Sequence, residues 1–300
     1  MSERIVNPNT LPKPFFDLSS PEKFGEHKEI VDLLENGKII NFVNIDDVRP
    51  ELKNKHQNEV DLVDIGISEK NDYYSRSHLN TVYEVELDSE KGIVRGIFKP
   101  AKGENNEIKK TLNIHNCYLR EIAAYQMDRI LGFGIAPPTS IREINGEIGS
   151  IQLYIPPEIA DNHGNVVDKI DFEIEQNSHD WMLMAIFDYI TANWERKPDN
   201  WLVDWHTNSD LYAIDHGYAF FSQSVDSFEK RGPRRNLTFD NAKEKPIVTP
   251  LPDFILKRLH EIKETRVEEI KSTLNSLVPN HEIDQVLKRI DNLIEAKIFL

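Results

Sequence analysis

Three separated groups of residues have types and spacings suited to chemistry on a phosphoryl group. Lys99 closes a strand-like run, Ile93 to Pro100, and Glu121 lies on the helical segment that follows. A lysine at a strand end, braced by a glutamate on the next helix, can hold phosphate oxygens. The same two residues also read as an exposed strand-end lysine and a solvated helix glutamate. In Asn193-Trp194-Glu195-Arg196-Lys197-Pro198-Asp199-Asn200 an acid precedes an asparagine by five positions. That offset suits a carboxylate taking a hydroxyl proton and an amide oxygen facing a metal ion. A plain polar turn around Pro198 fits equally well. Asp215 ends the apolar run Tyr212-Ala213-Ile214 and is followed closely by Gly217, the setting of a metal-binding aspartate or of a strand-ending Asx turn. Their order along the chain, lysine, glutamate, acid with asparagine, aspartate, is less expected by chance than any one member.

Elements able to position these residues follow from hydrophobic periodicity. Val82, Val85 and Leu87 alternate before Lys91-Gly92, and Ile93 to Phe98 follow, which predicts a hairpin whose second strand stops at Pro100. A helix is expected over 113–131, stopped by Gly132 and Gly134. Two strands, 135–144 and 148–154, flank the turn Asn145-Gly146. An apolar helix over 179–192 leads into the Glu195 loop, and short strands are expected at 201–204 and 211–214. From Pro252 onward, apolar residues every three or four positions predict a helical tail, with a last helix from about residue 280. Residues 1–70 read as an N-terminal extension containing one amphipathic helix, 21–36. The expected organisation is that extension, a sheet-rich lobe over 71–160 and a helical lobe over 161–300.

Gly96-Ile97-Phe98-Lys99-Pro100, residues 193–203 and Ile214-Asp215-His216-Gly217-Tyr218-Ala219-Phe220 resemble segments of the type II phosphatidylinositol 4-kinases and their small prokaryotic relatives. Arg120-Glu121-Ile122-Ala123-Ala124-Tyr125 and Gly134-Ile135-Ala136-Pro137-Pro138-Thr139 extend the resemblance, which spans about 75–225. It implies an α+β, two-lobed protein-kinase-like fold, with a small antiparallel sheet in the first lobe and a mainly helical second lobe. It also implies ATP and magnesium: Lys99 on the phosphates, Glu121 bracing Lys99, Glu195 as the catalytic carboxylate that receives the hydroxyl proton, Asn200 and Asp215 on the metal. Ser75 to Asn80 would form the turn over the phosphates. There Ser77 and His78 occupy positions where glycines would let backbone amides approach a nucleotide. In Glu195-Arg196-Lys197 a glutamate stands where the family has aspartate.

Composition narrows the partners. With 300 residues, 39% of them hydrophobic, the chain can bury two cores, which excludes a disordered reading. A formal net charge of −15 repels nucleic acids and anionic membranes. No stretch approaches the roughly 20 apolar residues of a membrane span, and the sequence reads as cytoplasmic without stable membrane anchoring. The single cysteine, Cys117, excludes an intrachain disulfide framework. Lys230, Arg231, Arg234 and Arg235 form a basic cluster beyond Asp215, either a solvated loop or a receiver of acidic substrate. The expected activity is phosphoryl transfer to a protein serine or threonine, or to a small-molecule alcohol. The rivals are a catalytically silent nucleotide-binding scaffold and another nucleotide-dependent transfer, AMPylation or glutamylation, on the same fold.

Overall fold

The structure, a computed structural model, describes residues 23–45, 81–89, 92–104, 109–110, 114–155, 179–193, 196, 200–203, 211–221 and 249–299. Strands β1 (Lys38–Asn44), β2 (Tyr83–Ser89), β3 (Gly92–Pro100), β4 (Thr139–Ile144) and β5 (Glu147–Leu153) form one antiparallel sheet in the order β1-β2-β3-β5-β4. Val85, Leu87, Phe98, Ile151 and Leu153 alternate along their strands and are buried on one face, as period-two patterning requires. Helix α1 (Lys23–Asn36) lies against this sheet through Leu34, and Arg142 of β4 donates to the Leu34 carbonyl at 2.6 Å near the helix end. Helix α1 and strand β1 therefore belong to the sheet lobe, although sequence reading set residues 1–70 apart. Their β1–β2 pairing spans a sequence gap that no local periodicity reveals.

Helix α2 (Cys117–Leu131) carries Glu121 and bridges the two layers. It packs on β4 and β5 on one side, and on the helices α3 (His179–Thr191), α4 (Asp253–Thr265) and α5 (Val267–Leu274) on the other. Helix α6 (Asn280–Ala296) packs against α3, α4 and α5 and completes the helical layer. Short strands β6 (Trp201–Val203) and β7 (Leu211–Ala213) pair antiparallel beside it, and β8 (Thr249–Pro250) pairs with β9 (Ile298–Phe299). The larger core joins Ala123 and Met127 of α2 to Phe187 of α3 and Leu259, Ile270 and Ile290 of the tail.

Two expected boundaries move, each for a local reason. Helix α2 begins at Cys117 rather than 113, because Asn116 adopts a left-handed conformation with φ 54°. Its Tyr118 N–H is capped by the buried Glu104 carboxylate at 2.8 Å. Strand β4 begins at Thr139 rather than 135. Pro137 and Pro138 carry no N–H for a ladder, and the Ile135 and Ala136 N–H groups donate instead to the Asp128 carboxylate, each at 3.3 Å.

Candidate active site

Strand β3 delivers Lys99 as its penultimate residue, opposite Ser150 of β5. The chains approach closely here: a Cβ on Gly149 would lie 2.3 Å from the Lys99 carbonyl oxygen, so only glycine fits. From β3 the Lys99 ammonium reaches Glu121 Oε1 at 2.5 Å and Asp215 Oδ1 at 2.7 Å. Burial opposes the charge on Lys99, but Asp215 and Glu121 outweigh it and hold the pKa above the ordinary lysine value. The lysine is therefore a cation shared by two carboxylates. These differ in setting: the Glu121 side chain is 4% exposed, that of Asp215 44%. Burial pushes the Glu121 carboxyl up, opposed by Lys99 and by the His216 backbone N–H, which donates to Glu121 Oε2 at 2.8 Å. Asp215 follows β7 at φ 57°, a left-handed conformation that aspartate tolerates better than most residues.

The backbone around Asp215 is held by a buried arginine. Arg196 forms a bidentate pair with Asp188 of α3, both contacts at 2.9 Å, with side chains 0% and 1% exposed. The same guanidinium donates to the Ile214 carbonyl at 2.8 Å and to the Asn200 carbonyl. It also meets His216 Nε2 at 3.0 Å. Because arginine can only donate, His216 Nε2 accepts and the ring proton sits on Nδ1. Burial, followed by the Arg196 charge, keeps the His216 pKa well below its ordinary value, so the ring is neutral. Nδ1 has no hydrogen-bond partner and lies 4.0 Å from Glu121 Oε2.

Lys99, Glu121 and Asp215, separated in sequence by up to 116 positions, thus meet in one cluster. Asn200 stands beside them through the backbone: the Ile214 N–H donates to its carbonyl at 3.0 Å, one residue before Asp215. Glu195, Ser77, His78 and the cluster Lys230, Arg231, Arg234 and Arg235 lie outside the described residues. Among the described residues, no group of three or more His, Cys, Asp and Glu forms a ready metal cage. Asp215 nonetheless suits magnesium, which takes one or two carboxylates and keeps water and phosphate oxygens for its other positions. Sequence reading gave no role to Arg196, Asp188, His216 or Arg120. One signal was present: Asp188 is an acid inside the otherwise apolar run 181–190 of the helix, and a buried acid requires a partner.

Residues 168–255 match the family model of phosphatidylinositol 3- and 4-kinase. No curated protein sequence matches the chain. Among solved structures, a hydra Fam20 with sugar aligns over 93% of this chain and 90% of its own, with TM-score 0.54 and 13% identity. A Helicobacter pylori proinflammatory kinase, CtkA, aligns over 74% of this chain and 89% of its own, with TM-score 0.42 and 14% identity. The segment 168–255 is thus similar to the phosphatidylinositol 3- and 4-kinase family, and the chain as a whole shares an α+β fold with the hydra Fam20 structure.

Proposed function

We propose that this kinase-fold chain is an ATP- and magnesium-dependent phosphotransferase acting on a protein serine or threonine or on a soluble alcohol. The observation that carries the reading is the convergence of Lys99, Glu121 and Asp215, with 2.5 and 2.7 Å contacts to the one ammonium. The asymmetry of the two carboxylates supports different tasks for them. Glu121 is buried and receives a backbone N–H, so it keeps Lys99 in place. Asp215 is open to solvent, so its contact with Lys99 is the exchangeable one. Lys99 then turns its charge to the phosphates, and Asp215 with Asn200 holds the metal. Magnesium, when bound, supplies charge neutralisation on the phosphate oxygens. Glu195 accepts the proton of the substrate hydroxyl as its oxygen bonds to the γ-phosphorus and the bond to the β–γ bridging oxygen breaks. Ser77 and His78 are assigned to nucleotide binding on the sequence resemblance alone. The site falls between the sheet layer, with α1 and β1 included in it, and the helical layer.

The net charge of −15 disfavours an anionic membrane as the place of work. Among the described residues, no helix is long and apolar enough to cross a membrane. One feature favours a second reading: Glu195 adds a methylene where the related kinases carry aspartate, and errors near 1 Å can lower a rate about 10²-fold. A silent nucleotide-binding scaffold follows if that error is not absorbed.

Labelled ATP separates the readings. With generic protein acceptors, the γ-phosphate label should move to product in wild type and fall at least about 10²-fold in Asp215→Ala. Label moving only from the α-phosphate would point to nucleotidyl transfer, and no transfer of either label would leave the scaffold.

A further inference from the structure

Arg120, the residue before Glu121, reads the Asp215 loop from its far end. The loop is a closed turn: the Ala219 N–H donates to the His216 carbonyl at 2.9 Å, and the Phe220 N–H to the Thr191 carbonyl at 2.5 Å. At its near end, Asp215 meets Lys99 and the His216 N–H meets Glu121. At its far end, Arg120 Nη1 donates to the Ala219 and Phe220 carbonyls at 2.5 and 3.0 Å. Arg120 Nη2 pairs with Glu282 Oε1 of α6 at 2.8 Å, and both side chains are 3% exposed. Adjacent residues of α2 therefore grip both ends of one six-residue loop, and the guanidinium is aimed by the C-terminal helix.

The pair is poorly explained by stability alone. Two charges are buried, and Glu282 Oε2 has no hydrogen-bond partner. Apolar residues of similar volume commonly replace such pairs without loss of stability. What they cannot replace is a fork that binds three carbonyls, His115 through Nε at 3.3 Å besides Ala219 and Phe220, and a carboxylate at fixed angles. The far end of α2 is tied to the same tail: Arg258 Nε donates to the Leu131 carbonyl at 2.9 Å, and Arg266 Nη1 to the Ile130 carbonyl at 2.6 Å.

We propose that Arg120 and Glu282 are positioning residues, through which helix α6 fixes where Asp215 stands relative to Lys99 and Glu121. The inference rests on the phosphotransferase reading. The test measures kcat, KM for ATP and the magnesium needed for half-maximal rate, per folded molecule by circular dichroism, in wild type, Arg120→Met, Arg120→Lys, Glu282→Gln and Arg142→Gln. Glu282→Gln and Arg120→Met should lower kcat about 10- to 10²-fold and raise the magnesium requirement, while KM for ATP changes little. Arg120→Lys should recover part of the loss. Arg142→Gln removes a carbonyl-binding arginine on the sheet, so it should lower Tm and leave kcat intact. Folded Arg120 and Glu282 variants with lower Tm but unchanged kcat and magnesium requirement would overturn the proposal. If Arg120→Met does not fold, Glu282→Gln, which keeps its shape and one acceptor, decides alone. A wild type showing neither transfer nor a magnesium-dependent response to ATP overturns the phosphotransferase reading, and this inference with it.

Discussion

At the scale of single residues, Lys99 is the centre of the cluster, because one ammonium is shared between a buried carboxylate and a half-exposed one. A second buried acid gives a test in pH. Burial pushes Asp128 up to about 7, against the Ala136 and Ile135 N–H groups that favour its ionised form. Between its ordinary pKa near 4 and this raised value, the folded chain binds more protons at Asp128 than the unfolded chain does. Its contribution is therefore full below about pH 4 and is lost as pH rises through about 7. Urea unfolding of wild type and Asp128→Asn across that range should show wild type losing up to about 1.4 kcal/mol per pH unit relative to the variant. Parallel profiles would place the proton elsewhere. Lys99, Glu121 and Asp215 were legible in sequence because each stands where a predicted strand or helix presents an acid or base. Arg120 and Arg196 were not, because what defines them is a partner: Glu282 lies 162 positions from Arg120, and the carbonyl of Ile214 has no side-chain signature.

At the scale of elements, the site depends on how closely β3 and β5 approach. Gly149→Ala would drive a methyl group into the Lys99 carbonyl and against Phe98 and Pro100, so the strand carrying Lys99 must shift. We expect this substitution to lower stability by about 1–3 kcal/mol in urea unfolding, comparable to overpacking a core. Gly146→Ala is the contrast: space is open there, and only the positive φ of 79° opposes a side chain. A Gly149→Ala protein as stable as Gly146→Ala would remove the close approach from the account. Alternation in β2 and β3 and helical spacing in α3 and the tail made these elements readable. The start of α2 and the stretch before β4 were misplaced, because a left-handed Asn116, a distant Glu104 cap and the Asp128 carboxylate override local pattern.

At the scale of the whole molecule, the five-stranded sheet carries the lysine, the loop after β7 carries the aspartate, and α2, packed on both the sheet and the helices, carries the glutamate between them. The fold class was readable because the order of strands and helices from β2 onward was right, whereas the membership of β1 in the sheet rests on a pairing across residues 45–82 that sequence pattern does not encode. The measurement that tests the central claim most directly is thermal unfolding of wild type and Asp215→Ala, with and without ATP and magnesium. A ligand bound only by the folded chain raises its stability, by about 2.7 kcal/mol at a hundred times its Kd, or a Tm rise of about 4 °C for a chain of this size. The account predicts that rise in wild type only when ATP and magnesium are both present, and its loss in Asp215→Ala. Equal melting of wild type with and without the two ligands would contradict it.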